Sequence, residues 1–429
     1  KVDDLRFTGF FTNGPEHNLR TSEFRLLNFK AKPGKGNFQA NLVVKNFEDP
    51  YIKVNMLGDL DLEFVGEFFD LEGFEGISGE IKISMDFDEL QDVSMETADL
   101  VQLKESIQSE LILKNLSFSL PGMAQPIKNM NARAILREGA LRLEHFDAEM
   151  GESDLHLTAS VSDFPAIFHG LEKPVEAKLI VKSDLLDLKD VIGDSTDTDL
   201  IRDLSVSLTF DAIAKDLFEF KHLPKGNFFI DDLYMKLEKF PHTFHDFHAD
   251  VLIGDNELTI RDFTGEIDQT DFLFTGRVEN FEKWFEKELK GKSTFDLALT
   301  SKQLIVNDLL TYDGVNYLPE SYRDETLKNI LLKGRLDLNY NQGLKSMAIN
   351  LEQFKGNLSL HPLKLESFSG QINWENGIWK VQDFGGKMGA SDFRIDLTYQ
   401  ADSAAAKVNN AFHLRARALD LDALLGFQS

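Results

Sequence analysis

The sequence predicts a mainly all-β protein in which tandem repeats form an antiparallel sheet. Three observations lead to this prediction. Four stretches of the sequence superpose without gaps, their strands alternate between apolar and polar residues, and stretches with helical spacing are few and short. At 429 residues the chain also exceeds a typical single domain, which favours several units or one elongated repeat protein.

Each copy of the repeat starts at a phenylalanine. The four leading residues are Phe29, Phe146, Phe263 and Phe384. They lie 117, 117 and 121 positions apart. The repeat divides the chain into a partial repeat over 1–72, truncated at its N-terminus, and repeats over 73–193, 194–310 and 311–429. We expect on the order of eight strands per repeat, all stacked into one continuous, elongated sheet.

Hairpin turns precede three of the leading phenylalanines. The segments 132–146, 249–263 and 371–384 each read as two alternating strands joined by the turn residues REG, GDN or ENG. Eight positions after each leading phenylalanine a short polar side chain recurs, as Asn37, Asp154, Asp271 and Asp392. We attribute the three aspartates to Asx-type turns.

Two stretches interrupt the strand pattern. Residues 91–111 and 317–331 have helical spacing and few strand-forming residues. We expect them to form short helices or loops at the sheet margin.

The strand that follows each leading phenylalanine has one apolar face. Successive strand side chains point to opposite faces, so the two faces can be separated directly. The apolar face carries Phe38, Ala40, Leu42 and Val44; Leu155, Leu157, Ala159 and Val161; Phe272, Phe274, Gly276 and Val278; and Phe393, Ile395, Leu397 and Tyr399. The opposite face carries polar residues such as Gln39, His156, Arg277 and Asp396.

An antiparallel sheet with one apolar face needs a cover. The sequence contains too few helices to supply it, which leaves two alternatives. In the first, the sheet folds over and the apolar face becomes the core of a sandwich. In the second, the face is an open groove that binds an apolar ligand. Periodicity alone does not separate the two.

Composition excludes several functional classes. The net charge of −26 opposes binding to nucleic acid, whose phosphates would be repelled. Without cysteine, the chain has no disulfide, thiolate metal site or cysteine nucleophile. The 36 phenylalanines against 7 tyrosines and 3 tryptophans favour a dry surface, because phenylalanine carries no hydrogen-bonding group. No apolar run is long enough to span a membrane as a helix.

We predict no catalytic residue, no metal site and no cofactor. His242, His245 and His248 lie three positions apart, but on a strand His245 points away from the other two. Solvated histidines are therefore favoured over a metal site. Carboxylate pairs occur at the frequency expected for so acidic a chain, and no nucleophile motif is present. The protein is thus not expected to be an enzyme.

Two aromatic segments follow apolar strands. They are 164–168 (FPAIF) and 281–289 (FEKWFEKEL). Trp284 and Phe285 would be the inserting residues if the second segment touched a membrane. A cap over the edge of the segment's own sheet is the favoured interpretation, because both segments are short and their charges are mixed.

The repeat resembles that of the AsmA-like proteins, which are related to TamB and to the bridge-like lipid-transfer proteins. The resemblance covers nearly the whole chain. It rests on GNFFIDDLYMKL (226–237), ELTIRDFTGEIDQTDFLFTGRVENF (257–281) and DLDALLG (420–426). It implies a long, curved antiparallel sheet whose apolar face is an open groove for acyl chains. The groove would be lined by Phe38, Leu42, Val44, Leu155, Leu157, Val161, Phe272, Phe274, Val278, Phe393, Ile395, Leu397 and Tyr399.

The resemblance further implies a periplasmic protein that takes part in phospholipid transport between inner and outer membrane and in outer-membrane biogenesis. Its expected partners are phospholipids or other acyl-chain lipids, together with inner- or outer-membrane protein complexes. Anchoring would use an N-terminal segment that is absent from this chain. The alternative is a non-conducting envelope scaffold, or an accessory subunit of an outer-membrane protein complex, with a closed apolar core.

Overall fold

The computed structural model describes residues 2–48, 50–69, 75–89, 107–120, 124–192, 199–219, 225–285, 289–316, 320, 323–400 and 409–424. Strands account for most of the described residues. All the strand pairings are antiparallel in the described part, and its helices are few and short. The prediction of a mainly all-β, antiparallel fold is therefore confirmed.

The chain divides into two compact units, Lys1–Lys221 and His222–Ser429. In the first unit, each strand pairs with the strand that precedes it in sequence, so the sheet is a meander. Its strands are β1 (Val2–Thr12), β2 (Glu23–Pro33), β3 (Asn37–Lys45), β4 (Tyr51–Asp61), β5 (Glu75–Glu89), β6 (Ile107–Ser119), β7 (Ile127–Arg137), β8 (Ala140–Met150), β9 (Ser153–Val161), β10 (Pro174–Asp187) and β11 (Leu200–Ile213).

The sheet of the second unit is also a meander, with one small hairpin inserted between its fifth and sixth strands. The strands are β12 (Lys225–Lys236), β13 (Thr243–Ile253), β14 (Glu257–Ile267), β15 (Thr270–Glu279), β16 (Lys290–Ile305), the inserted β17 (Thr311–Tyr312) and β18 (Val315–Asn316), β19 (Thr326–Asn341), β20 (Leu344–Leu358), β21 (Lys364–Glu375), β22 (Ile378–Met388), β23 (Ser391–Gln400) and β24 (Ala411–Ala418).

Short helices connect some of the strands. Among the described residues, the α-helices are Leu62–Phe69, Phe164–Phe168, Leu188–Ile192, Ala214–Glu219, Val306–Leu309 and Leu421–Leu424, and the 3-10 helices are Leu19–Thr21 and Phe281–Phe285. The sequence predicted short helices or loops over 91–111. Residues 91–106 lie outside the described residues, and residues 107–111 belong to strand β6. In the stretch 317–331, the residues from Thr326 onward belong to β19, so the prediction of a short helix or loop is wrong there. Cross-strand pairing has overridden local spacing in both places.

The repeat appears in the structure as a hairpin of constant register. Its first strand is β2, β8, β14 or β22, and each leading phenylalanine pairs with the residue eleven positions later. The pairs are Phe29–Ala40, Phe146–Leu157, Phe263–Phe274 and Phe384–Ile395. Leaving out the inserted hairpin β17–β18, a leading strand recurs every sixth strand in the described sequence. The expectation of about eight strands per repeat is therefore wrong, because most strands are 9–16 residues long and fewer of them fit into one repeat.

A β-bulge lies just before every leading phenylalanine. The strand register shifts between Leu26 and Phe29, and it shifts at the equivalent place in β8, β14 and β22. Asn28 there has φ 52°, a left-handed conformation that asparagine tolerates. Its N–H donates to Asn41 Oδ1 at 2.8 Å, so the unpaired backbone donor of the bulge is satisfied. Bulges of this kind bend the strand and increase its twist.

In the first unit, the short helices pack at both ends of the strands. Leu62, from the helix Leu62–Phe69, packs with Leu116 and Met130 at the end where β8 turns into β9. At the other end, Phe164 from the helix Phe164–Phe168 packs against Leu136. The most tightly packed apolar residues therefore lie near the two margins of the sheet.

Candidate ligand-binding face

The apolar side chains of the second unit align in rows that cross the strands. Because each row is formed by directly paired residues, its members share one face of the sheet. One row crosses nine strands and consists of Leu258, Val278, Phe295, Leu336, Ile349, Ile372, Val381, Leu397 and Phe412. A parallel row on the same face consists of Leu338, Met347, Trp374, Trp379 and Tyr399.

The first unit carries an equivalent row. It crosses the nine strands from β3 to β11 and consists of Phe38, Gly58, Ile83, Leu111, Ala134, Leu143, Ala159, Leu179 and Leu208. We use the name apolar face for the side of each sheet that carries these rows. Every residue in them is apolar or glycine, so a strongly hydrophobic surface crosses each unit.

The apolar face is only partly covered. Of the row from Leu258 to Phe412, only Val278 is buried, whereas Phe412 is 60% exposed and the other seven residues are half-buried. In a sheet covered by a second layer, side chains at such central positions would be almost fully buried. Within the described residues, the face therefore lacks the close cover that a sandwich core requires.

The residues predicted for the groove all lie on this face. Val278 is buried, Tyr399 is 48% exposed, and the remaining predicted residues are half-buried. Gly276 also belongs to the face, and a Cβ atom there would stand 2.4 Å from the Asp296 carbonyl oxygen. This position accordingly has no room for a side chain.

Aromatic clusters occupy the apolar face near the bulges. In the second unit Phe247, Phe263 and Phe272 pack around one another, with ring centroids 5.4–5.7 Å apart. Phe368 and Phe393 repeat the arrangement at 5.9 Å, and Phe29 and Phe38 do so in the first unit at 5.8 Å. These contacts hold the rings in place, so the aromatic surface is preformed.

The opposite face is polar and carries paired charges. Arg277, Asp296 and Arg335 follow one another on β15, β16 and β19 and form a ladder of alternating charge. Arg277 Nη2 lies 3.3 Å from Asp296 Oδ2. In the first unit Arg133 bonds to both Glu110 and Glu144 at 2.7 Å. This face is therefore suited to water, in contrast to the apolar face.

Two of the recurring aspartates, Asp154 and Asp271, hold another strand instead of forming an Asx turn. Asp154 Oδ1 accepts from the backbone N–H of Leu185 at 2.7 Å, and Asp271 Oδ1 accepts from that of Gln303 at the same distance. The carboxylates thus hold the following strand rather than their own turn, and the Asx-turn interpretation is wrong for both residues. Burial pushes the pKa of Asp154 upward, but the N–H donors of Leu185 and Asp184, the charge of His156 and the Ser183 hydroxyl together outweigh it and keep that pKa below its usual value.

A buried hydroxyl precedes each of these aspartates. Ser153 Oγ accepts from the Asp187 N–H, Thr270 Oγ1 from the Ile305 N–H and Ser391 Oγ from the Asp420 N–H, each at 2.9 Å. Each of the three N–H donors belongs to the residue just before a short helix. These helices follow β10, β16 and β24, the strands that come directly after the repeating hairpin. The recurring Ser/Thr-Asp dipeptide therefore fastens that helix to the hairpin tip. The dipeptide was visible in the sequence, but its partners were not.

The structure brings two His/carboxylate groups together. His242, Asp268 and Asp308 form the first group, and its potential ligand atoms lie within 4.8 Å of one another. His245, Asp246 and Glu266 form the second in the same way. His242 lies just before β13 and His245 lies within it, and the two histidines belong to different groups. Most carboxylate members of the two groups are distant in sequence, so spacing alone did not reveal them.

The aromatic segments after β9 and β15 pack against their own sheets. In the first segment Ala166 packs with Val175 and Ala214, and Phe168 remains 67% exposed. In the second, Trp284 stacks on Phe295 at 5.5 Å and donates from Nε1 to Ser293 Oγ. The Phe285 side chain lies outside the described part of the structure. The described residues of both segments therefore pack at an end of the sheet, and their role as caps instead of membrane contacts stays a prediction.

The bulges were missed in the sequence, although a signal for them exists. Strict alternation fails where two polar residues separate apolar residues three positions apart, as in Ile260 to Phe263 and Val381 to Phe384. The register shifts occur at these two places. A three-residue apolar spacing within an alternating strand therefore indicates a bulge in this chain.

Comparison of the chain with protein-family models, curated proteins and solved structures gives no match in any of the three. Across the described residues, none of the helices has the length and apolar character needed to cross a membrane.

Proposed function

We propose that the chain binds lipid acyl chains on its apolar face and acts as a periplasmic β-groove protein of the AsmA type. In this role it would hold or conduct phospholipid between inner and outer membrane and contribute to outer-membrane biogenesis. The observation that supports the proposal most strongly is the row from Leu258 to Phe412, which is apolar throughout and largely half-buried.

Binding follows from the hydrophobic effect. A row across nine strands extends on the order of 38 Å at the usual strand spacing, so a whole acyl chain fits along it. Each methylene group that leaves water contributes about 0.8 kcal/mol. Polar headgroups would remain in solvent beyond the margins of the sheet, where the short helices lie.

Lateral movement of a bound chain has a simple physical basis. The rows present similar apolar residues on successive strands, so neighbouring positions offer similar contact energies. An acyl chain that moves by one strand spacing exchanges one set of nonspecific contacts for another. The protein therefore supplies a path without a deep binding trap for the lipid. Any direction of transport must come from partner proteins or from the lipid gradient.

Lipid binding is tested by measuring which molecules the protein retains. The protein is purified without detergent and examined by native mass spectrometry, and a fluorescent phospholipid is offered from phosphatidylethanolamine–phosphatidylglycerol vesicles. We expect bound phospholipid in the first experiment and uptake of the fluorescent lipid in the second. The variant Leu336→Glu/Ile349→Glu should reduce uptake by about tenfold or more, because it places two charges in the middle of the row.

The matched control is Asn350→Glu/Gln371→Glu. Asn350 and Gln371 are directly paired, like Leu336 and Ile349, but they lie exposed on the polar face. The control adds the same two charges and should leave uptake unchanged, while circular dichroism verifies that both variants are folded. A lipid-free wild-type protein that takes up no fluorescent lipid would contradict the proposal and favour the envelope scaffold.

A further inference from the structure

Three potential metal ligands meet at one end of β14 and β15. His242 precedes β13, Asp268 lies in the turn between β14 and β15, and Asp308 belongs to the helix Val306–Leu309. His242 Nδ1 stands 2.7 Å from Asp268 Oδ2 and 3.8 Å from Asp308 Oδ1. Ligand atoms that share a tetrahedral zinc ion lie ~3.4 Å apart, so these distances need only small adjustments.

Each carboxylate has one oxygen fixed by the protein and the other directed at His242. Asp268 Oδ1 accepts from the Thr243 N–H at 2.9 Å, which leaves Oδ2 facing the imidazole. Asp308 Oδ2 accepts from Thr270 Oγ1 at 3.1 Å, and its Oδ1 faces the same imidazole. Outer hydrogen bonds of this kind orient the ligands in metal sites.

Two of the three potential ligands are largely withdrawn from water. Asp308 is only 7% exposed, and the His242 side chain is 12% exposed. The Nε2 atom of His242 is buried without a hydrogen-bond partner in the described structure, so hydrogen bonding to the two carboxylates does not satisfy the whole ring.

Comparison of the repeats shows that the group is peculiar to the third copy. The hairpin turn that carries Asp268 has glycine at this place in the other copies, namely Gly34, Gly151 and Gly389, all at φ 59–63°. Asp268 adopts the same left-handed conformation, with φ 51°, although glycine accommodates it at lower cost. The position of His242 is occupied by Gln125 in the preceding copy. The third repeat thus departs from the others at two of the three ligands.

We propose that His242, Asp268 and Asp308 bind a divalent transition-metal ion such as Zn²⁺. One imidazole nitrogen and two carboxylate oxygens favour such an ion over Mg²⁺ or Ca²⁺, which prefer oxygen ligands alone. The ion clamps together the segment before β13, the turn between β14 and β15 and the helix after β16. This inference is independent of lipid binding, because the group does not include the apolar rows.

In the test, the chelator-treated protein is titrated with ZnCl2 and with MgCl2. Isothermal titration calorimetry measures binding of each ion, and thermal unfolding measures its effect on Tm. We expect one zinc ion to bind per chain and to raise Tm, and magnesium to do neither at the same concentration. The variants His242→Gln and Asp268→Gly introduce the residues of the sister repeats, so both should fold. Each should weaken zinc binding by at least about tenfold and lose the rise in Tm.

Asp246→Asn is the matched control, since it removes a carboxylate from the second His/carboxylate group. Asp246 has φ 53°, which asparagine tolerates, so the change should not disturb the strand. Zinc binding by this variant should equal that of the wild type. The proposal is overturned if the wild type binds no zinc, or if His242→Gln and Asp268→Gly bind zinc as tightly as it does.

Discussion

Asp271 Oδ1 accepts a hydrogen bond from the backbone N–H of Gln303 at 2.7 Å, and thereby joins a hairpin tip to the strand that follows it. Asp271 Oδ2 accepts from the Lys302 N–H at 3.0 Å, so one carboxylate satisfies two consecutive backbone donors. Asp154 does the same for Asp184 and Leu185 one repeat earlier.

Loss of this carboxylate should destabilise the fold. Asp271→Ala leaves the two backbone donors of β16 without their acceptor, and each such loss costs about 1–3 kcal/mol when water cannot replace it. Lys302 is exposed, so water can replace the acceptor there, and we expect the free energy of unfolding to fall by about 1–3 kcal/mol in urea titrations, mainly from the Gln303 N–H. Glu352→Ala, an exposed carboxylate on β20, is the control and should change stability by less than about 0.5 kcal/mol. Equal stability of the two variants would show that the bonds to β16 contribute nothing.

The bulge before Phe29 predicts an unusual order of substitutions. Asn28 has φ 52°, so Asn28→Gly should be nearly neutral, whereas Asn28→Val should lower stability by about 1–2 kcal/mol. The β-branched residue would normally favour a strand, which makes the predicted order the reverse of strand propensity. Urea unfolding measures the free energy of unfolding of both variants. Gln39→Val, on the neighbouring strand, is the control that shows the effect of an exposed valine by itself. A stable Asn28→Val variant would argue against the left-handed conformation.

The stability of the first unit should depend on the protonation of His156. Its Nδ1 lies 2.6 Å from Asp147 Oδ1 and its Nε2 lies 2.9 Å from Asp154 Oδ2. The hydrogen bond to Asp147 and the charges of Asp154 and Asp147 outweigh burial and raise the pKa of His156. A raised folded-state pKa gives stability that is fully present below the unfolded value of about 6.5 and is lost as pH rises through the folded value.

The measurement is the urea midpoint at pH values from 5.5 to about 8.5, a range that starts below the unfolded pKa of His156. The wild type should lose stability with rising pH relative to His156→Gln, so the difference between the two proteins should shrink. His145→Gln, an exposed histidine on the adjacent strand β8, should follow the wild-type pH profile. A constant difference between wild type and His156→Gln would contradict the role of the two aspartates.

Tryptophan fluorescence can locate a bound acyl chain. The chain has three tryptophans, and Trp374 and Trp379 lie together on the apolar face. The variant Trp284→Phe therefore reports on this face alone. Phospholipid with brominated acyl chains should quench its emission, and adding Leu336→Glu/Ile349→Glu should remove the quenching. Quenching that survives these two changes would place the lipid elsewhere.

The sequence by itself determined the all-β class, the hairpins and the composition of each strand face. These features are local, because alternation separates the two faces of a strand and residues such as Asn376 and Gly377 form a two-residue turn with positive φ. The leading phenylalanines, 117 to 121 residues apart, predicted the repeating unit for the same reason. Even the bulges left a local trace in the three-residue apolar spacing.

Only the tertiary structure decided which distant residues meet. The alignment of Leu336 with Ile349 and Phe295 depends on strand register. A register shift of one residue would turn the side chains of the shifted strand to the opposite face of the sheet. The partners of Asp271 lie 31 and 32 residues away, and Asp308 lies 66 residues from His242. The pairing of successive strands brings such residues together, so the half-open apolar face and the His242 group depend on the sheet as a whole, whereas each strand's own pattern depends on its sequence alone.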